Sequence, residues 1–79
     1  MEHFGERLKK IRLKRGYSQR QAAHVCRITE NYSPHGGEYF SQYELGRAVP
    51  NSRFLYKICK HLNVSADYLL GLKDKEEIK

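Results

Sequence analysis

Seventy-nine residues with 39% apolar composition make one small domain, too small for a deep catalytic pocket and near the size where a core needs tight helical packing. The formal charge of +6 favours a polyanionic partner, and no apolar run approaches the roughly 18 residues of a membrane-spanning helix. No signal peptide opens the chain, so it is expected to be soluble and cytoplasmic.

The charge is uneven. Residues 1–20 hold seven Lys or Arg against two Glu, a balance of +5. Residues 21–50 hold two Arg and three Glu, and residues 51–79 hold six basic and four acidic side chains, balances of −1 and +2. Cys26 and Cys59 each stand two residues from a histidine, as His24-Val25-Cys26 and Cys59-Lys60-His61. Positions i and i+2 of a helix point to opposite sides, so neither pair can close on one metal. The two cysteines are expected to be reduced thiols of the core, and neither a metal nor a cofactor is expected.

In chain order, residues 3–15 read as an amphipathic helix with Phe4, Leu8 and Ile11 on one face and Arg7, Lys9, Lys10 and Lys14 on the others. That basic face suits phosphate contact or a solvated surface. Gly16 ends the helix, and Tyr17 is expected to pack over the join. Ser18 is an N-cap for a second helix from Gln19 to about Cys26, carrying Ala22, Ala23 and Val25, with Ile28 plugging the turn that follows.

Residues 30–37 have no apolar periodicity. Ser33-Pro34 could start a helix, but Gly36-Gly37 weakens the next turn by roughly 1 kcal/mol per glycine. The third helix is therefore expected over 37–45, with Phe40, Tyr43 and Leu45 inward and Gly37, Glu38, Tyr39, Ser41 and Gln42 outward. After a loop, Asn51 or Ser52 caps a fourth helix whose buried stripe is Leu55, Ile58, Cys59 and Leu62, with Asn63 as its left-handed terminator. Ser65 caps a short fifth helix ending at Leu69-Leu70 before Gly71. The fold class is all-α. Residues 1–72 form the domain and 73–79 a polar tail expected to fray.

Ala22 and Ala23 where two short helices approach give the outline of a helix-turn-helix. Three stretches, FGERLKKIRLKRGYSQRQAA, FSQYELGRAVPN and LYKICKHLNVSADYLLGL, resemble the lambda-repressor-like (Cro/XRE-type) helix-turn-helix domains of bacterial and phage regulators over roughly residues 4–72. The resemblance implies a compact five-helix domain that binds double-stranded operator DNA, usually as a homodimer, and most often as a repressor. It implies phosphate contact from Ser18 and Gln19 and a recognition helix from Gly37, with Gly37, Glu38, Tyr39, Ser41 and Gln42 at or beside the bases. It places Arg47, Asn51 and Arg53 along the backbone and pairs Arg12 with Glu44. Tyr68, Leu69, Leu70 and Leu72 are the candidate dimer surface.

Two departures stand out. Members carry Gly where this chain has Arg27, and a non-glycine residue in the left-handed region costs of order 1 kcal/mol, so the turn has reason to take another path. The link from Thr29 to Phe40 is also about seven residues longer than usual, an insertion that loop-closure entropy tolerates at little cost. It is either a neutral surface loop or a DNA-reaching loop or extra turn using Tyr32, His35 and Tyr39.

From Thr29 to Leu45 there are three Glu and no Lys or Arg, so phosphate affinity is assigned to Gln19, Arg47, Arg53 and the basic first helix. The same acidity leaves open a protein-interaction module, or an antitoxin-like partner, with weak DNA binding. No nucleophile-and-base set or phosphate-binding motif appears, so no enzymatic activity is expected.

Overall fold

The computed structural model describes residues 2–28 and 37–76. Tyr32, His35 and the Ser33-Pro34 step lie outside the described residues. The described chain is all-helical: α1 (Glu2–Lys14), α2 (Gln19–Val25), α3 (Gly37–Glu44), α4 (Ser52–Leu62) and α5 (Ala66–Leu69).

The apolar spacing read along α1 does put Phe4, Leu8 and Ile11 in the core, together with Ala22, Ala23, Cys26, Ile28, Phe40, Tyr43, Ile58, Leu62, Val64, Tyr68 and Leu69. Leu55 and Cys59 are half-buried against it, as is Tyr17. Burial pushes the Cys26 thiol up to about 12, with Cys59 adding to the effect, so Cys26 is neutral and inert.

Local chemistry sets the helix boundaries. Ser18 Oγ accepts from Gln21 N at 3.0 Å while Gln21 Oε1 accepts from Ser18 N at 2.9 Å, a reciprocal capping box worth about 1 kcal/mol. Asn51 and Ser65 cap α4 and α5 through Phe54 N and Tyr68 N. Asn63 is left-handed, at φ 54°.

Helices α1, α2, α3 and α5 share one ending, with paired hydrogen bonds back to the last turn and a left-handed residue after the cap. Glycine fills that position at Gly16, Gly46 and Gly71, but after α2 it is Arg27, at φ 58°. The turn thus keeps its path despite the missing glycine. Ile28 N donates to Ala23 O at 3.0 Å and Arg27 N to His24 O at 3.1 Å, and burial of Ile28 holds the strained residue in place.

Two expectations are corrected. Leu45 is 60% exposed, because α3 has ended and its backbone has turned away from the core. Tyr68 and Leu69 are core residues, at 4% and 0% exposure, so of the candidate dimer surface only Leu70 and Leu72 retain accessible area. The tail is tied back to the domain as far as Glu76. Ser65 N donates to Glu76 O at 2.7 Å, and the Glu76 carboxylate reaches Lys14 at 2.6 Å and Lys10 at 3.6 Å.

Candidate nucleic-acid interface

The site is built around one carboxylate. Glu44, in the last turn of α3, has a side chain only 4% exposed. Arg12 of α1 donates to it twice, Nε to Oε2 at 2.6 Å and Nη2 to Oε1 at 3.1 Å, and donates Nη1 to Tyr17 O at 2.9 Å. Gln19, the first residue of α2, donates its amide to the same Oε1 at 3.0 Å. A forked, charge-assisted pair is the geometry in which a buried guanidinium is tolerated. Three helices are thereby locked in one relative orientation, and among the described residues no buried side-chain polar atom lacks a partner.

Gly5 completes the lock. A Cβ there would stand 2.5 Å from Glu44 O and 2.7 Å from Tyr43 O, so only glycine lets α1 approach the end of α3 this closely. Sequence reading passed over Gly5; a lone glycine inside an amphipathic helix was the available signal.

With α3 held this way, Glu38 and Gln42 are exposed, one helical turn apart on the same side. Ser41 is half-buried beside them. Tyr39 is differently placed. Its ring meets Phe54 edge-on at 5.7 Å and stacks 6.4 Å from Tyr43, so it supports α3 against α4 more than it projects outward. Burial, with Tyr39 beside it, pushes the Tyr43 hydroxyl up to about 12 and keeps it neutral.

The backbone-contact candidates are partly committed. Ser18 uses its oxygen in the capping box, Asn51 uses Oδ1 on Phe54 N at 2.8 Å, and Gln19 spends one amide hydrogen on Glu44. Arg47 and Arg53 are exposed, on either side of the loop between α3 and α4.

The cations divide sharply. Most of those of α1 and the tail face the protein itself, with Lys9 and Lys75 the exceptions: Arg7 pairs with Asp74, Lys10 and Lys14 with Glu76, Arg12 with Glu44, and Lys73 with Asp67. Arg7 also donates to Tyr68 O at 2.8 Å and Lys73 O at 2.9 Å, and Arg15 donates to Leu62 O at 2.9 Å and Asn63 O at 3.1 Å. Arginine at these helix ends satisfies terminal carbonyls and complements the negative end of the dipole. By contrast Arg20, Arg27, Arg47, Arg53, Lys57 and Lys60 enter no ion pair among the described residues. The expected phosphate-contacting face of α1 is therefore largely engaged with the domain's own C-terminal end, and apart from Lys9 and Lys75 the free charge among the described residues lies on α2, α4 and the loops.

The helix-turn-helix domain family matches residues 5–75. The chain belongs to that family. It is 42% identical over 67 residues to the SPbeta prophage-derived uncharacterized HTH-type transcriptional regulator YonR of Bacillus subtilis (strain 168), covering 85% of this chain and 56% of that protein. It is 39% identical over 75 residues to the HTH-type transcriptional regulator ImmR of the same organism, covering 95% of this chain and 51% of that protein. The chain thus spans about half the length of the curated relatives it matches. No solved structure matches it.

Proposed function

We propose that this domain binds double-stranded DNA sequence-specifically, as part of a small cytoplasmic transcriptional regulator that acts as a repressor and as a homodimer. The observation that carries this reading is the locked α2–α3 pair: Arg12, Gln19 and Glu44 fix the helix whose exposed side presents Glu38 and Gln42. Membership in the helix-turn-helix family and two relatives named as transcriptional regulators support it.

In the major groove, Gln42 can pair bidentately with adenine and Glu38 can accept from cytosine N4, while Arg47 and Arg53 hold the backbone. A homodimer would present two such helices to half-sites one helical turn apart. Of the candidate dimer residues, the exposed Leu72 and the half-buried Leu70 are those left for pairing.

Selection from a random duplex pool at near-physiological salt tests the reading. A two-fold-symmetric consensus is the expected outcome, and Gln42→Ala should cost about 1–3 kcal/mol at one base pair and relax the preference there. An unenriched pool would instead favour the protein-interaction reading, to which the acidic, lysine-free α3 is also suited.

A further inference from the structure

We propose that the outward face of α4, continued by Arg27, is a phosphate track carrying the DNA backbone beyond the bases α3 reads; this rests on the DNA-binding reading. Arg53, Tyr56, Lys57 and Lys60 fall within an arc of about 100° on α4, opposite the core residues Ile58 and Leu62. Helix α4 contains no acidic residue. Lys57 Nζ donates to Arg27 O at 3.1 Å, which joins this face to the left-handed end of α2, where the Arg27 residue is exposed.

The ammonium groups are held without being neutralised. Lys57 lies 5.5 Å from the Phe54 ring centroid and Lys60 5.6 Å from that of Tyr56, itself 62% exposed. Aromatic faces orient a cation but leave its charge available to a ligand.

Length and position favour duplex DNA over an acidic protein. Arg53 to Lys60 spans about 10 Å along the helix axis, which matches about three phosphates of one strand at 3.4 Å of axial advance each. The track also begins beside the reading helix, because Phe54, next to Arg53, packs on Tyr39 of α3.

The experiment compares the salt dependence of duplex binding by the wild-type chain, by Lys57→Gln/Lys60→Gln and by Lys75→Gln. Lys75 is an exposed cation of the C-terminal segment, outside the track. Each variant is first checked for unchanged thermal unfolding, and if Lys57→Gln loosens the Arg27 contact, Lys60→Gln alone takes its place. On a long duplex the double variant should show a slope of log K against log salt shallower by roughly 1–2, with Lys75→Gln unchanged. On a duplex trimmed to the selected site the variants and the wild type should converge. Equal slopes on the long duplex, or an equal loss from Lys75→Gln, would overturn the track. Unchanged slopes together with lost binding to poly-glutamate would overturn it and assign the face to an acidic protein. If the wild-type chain bound no duplex at all, the DNA reading would fail first and the track with it.

Discussion

The cations of α1 and those of α4 are the same residue types on helices of similar length, yet they face different things. On α1 and at Arg15 just past it, Arg7 and Arg15 end on the backbone carbonyls of α5 and α4, Arg12 ends on Glu44, and Lys10 and Lys14 meet Glu76, while Lys9 is exposed and has no partner among the described residues. On α4, Arg53, Lys57 and Lys60 meet no carboxylate among the described residues. The first quarter of the sequence is the most basic, so composition alone points to α1 as the polyanion face. The structure shows that charge density and charge availability are separate properties. A guanidinium already paired with a buried carboxylate adds little to a phosphate site, whereas a cation with no carboxylate partner keeps its charge available.

The largest test turns a committed cation into an orphan. Glu44→Ala leaves Arg12, with a side chain 9% exposed, without its carboxylate and frees Gln19 from α3. Removing one partner of a buried pair should cost about 3–5 kcal/mol, read as a lowered urea midpoint. Loss under about 1 kcal/mol would mean that the pair does not hold the reading helix.

Gly5→Ala attacks the same joint without touching a charge. The added methyl meets backbone oxygens that cannot rotate away, so α1 must back off from α3. A cost of about 1–3 kcal/mol is expected in denaturant unfolding. Unchanged stability would show that the helices have slack there.

Arg27→Gly sharpens the other side of the comparison. Relief of the left-handed strain should offset the greater entropy lost by glycine on folding and raise stability by up to about 1 kcal/mol. The same change removes one free cation, so duplex affinity should fall while the melting temperature rises. Two readouts moving in opposite directions would separate the residue's backbone role from its charge. A melting temperature that fell would show that the Arg27 side chain contributes more to the fold than its strained backbone costs.

Much of this architecture was legible because it is local. Ser18, Asn51 and Ser65 announce helix starts, Asn63 and the glycines announce ends, and the spacing of Phe4, Leu8 and Ile11 announces a buried face, all within a few residues. Pairing across the fold was not. Nothing near Arg7 or Arg15 in sequence indicates that they cap helices 61 and 47 residues away. The Arg12–Glu44 pair came from family resemblance rather than from spacing. Helical periodicity carried one residue past the helix end turns Leu45 inward, where the structure exposes it. A helix as short as α5 gives too few residues to define a face, so its pattern does not separate the buried Tyr68 and Leu69 from a surface. The free cations of α4 did carry a signal, Arg53, Lys57 and Lys60 at i, i+4 and i+7 with no acid between them.

The smallest test concerns Glu76, the residue that ties the tail to α1. The hydrogen bond from Lys14 is the main cause holding its carboxyl below the ordinary value of 4.5; partial burial opposes it, and the Lys14 and Lys10 charges reinforce it. A carboxyl depressed in the folded state adds stability that is present above its unfolded pKa and is lost as pH falls through the folded one. Stability of the wild-type chain should therefore decline below about pH 4.5 with a contribution that Glu76→Gln removes. Both lysines are more than half exposed, at 66% and 57%, so the difference at neutral pH should be only a few tenths of a kcal/mol, and smaller in high salt. The variant also releases Lys10 and Lys14 from their carboxylate, which makes α1 resemble α4. Its duplex binding should become slightly steeper in salt without any change of preferred sequence. If Glu76→Gln altered neither the acid limb nor the salt slope, the α1 lysines would count as free, and the division between the two faces would rest on the arginines alone.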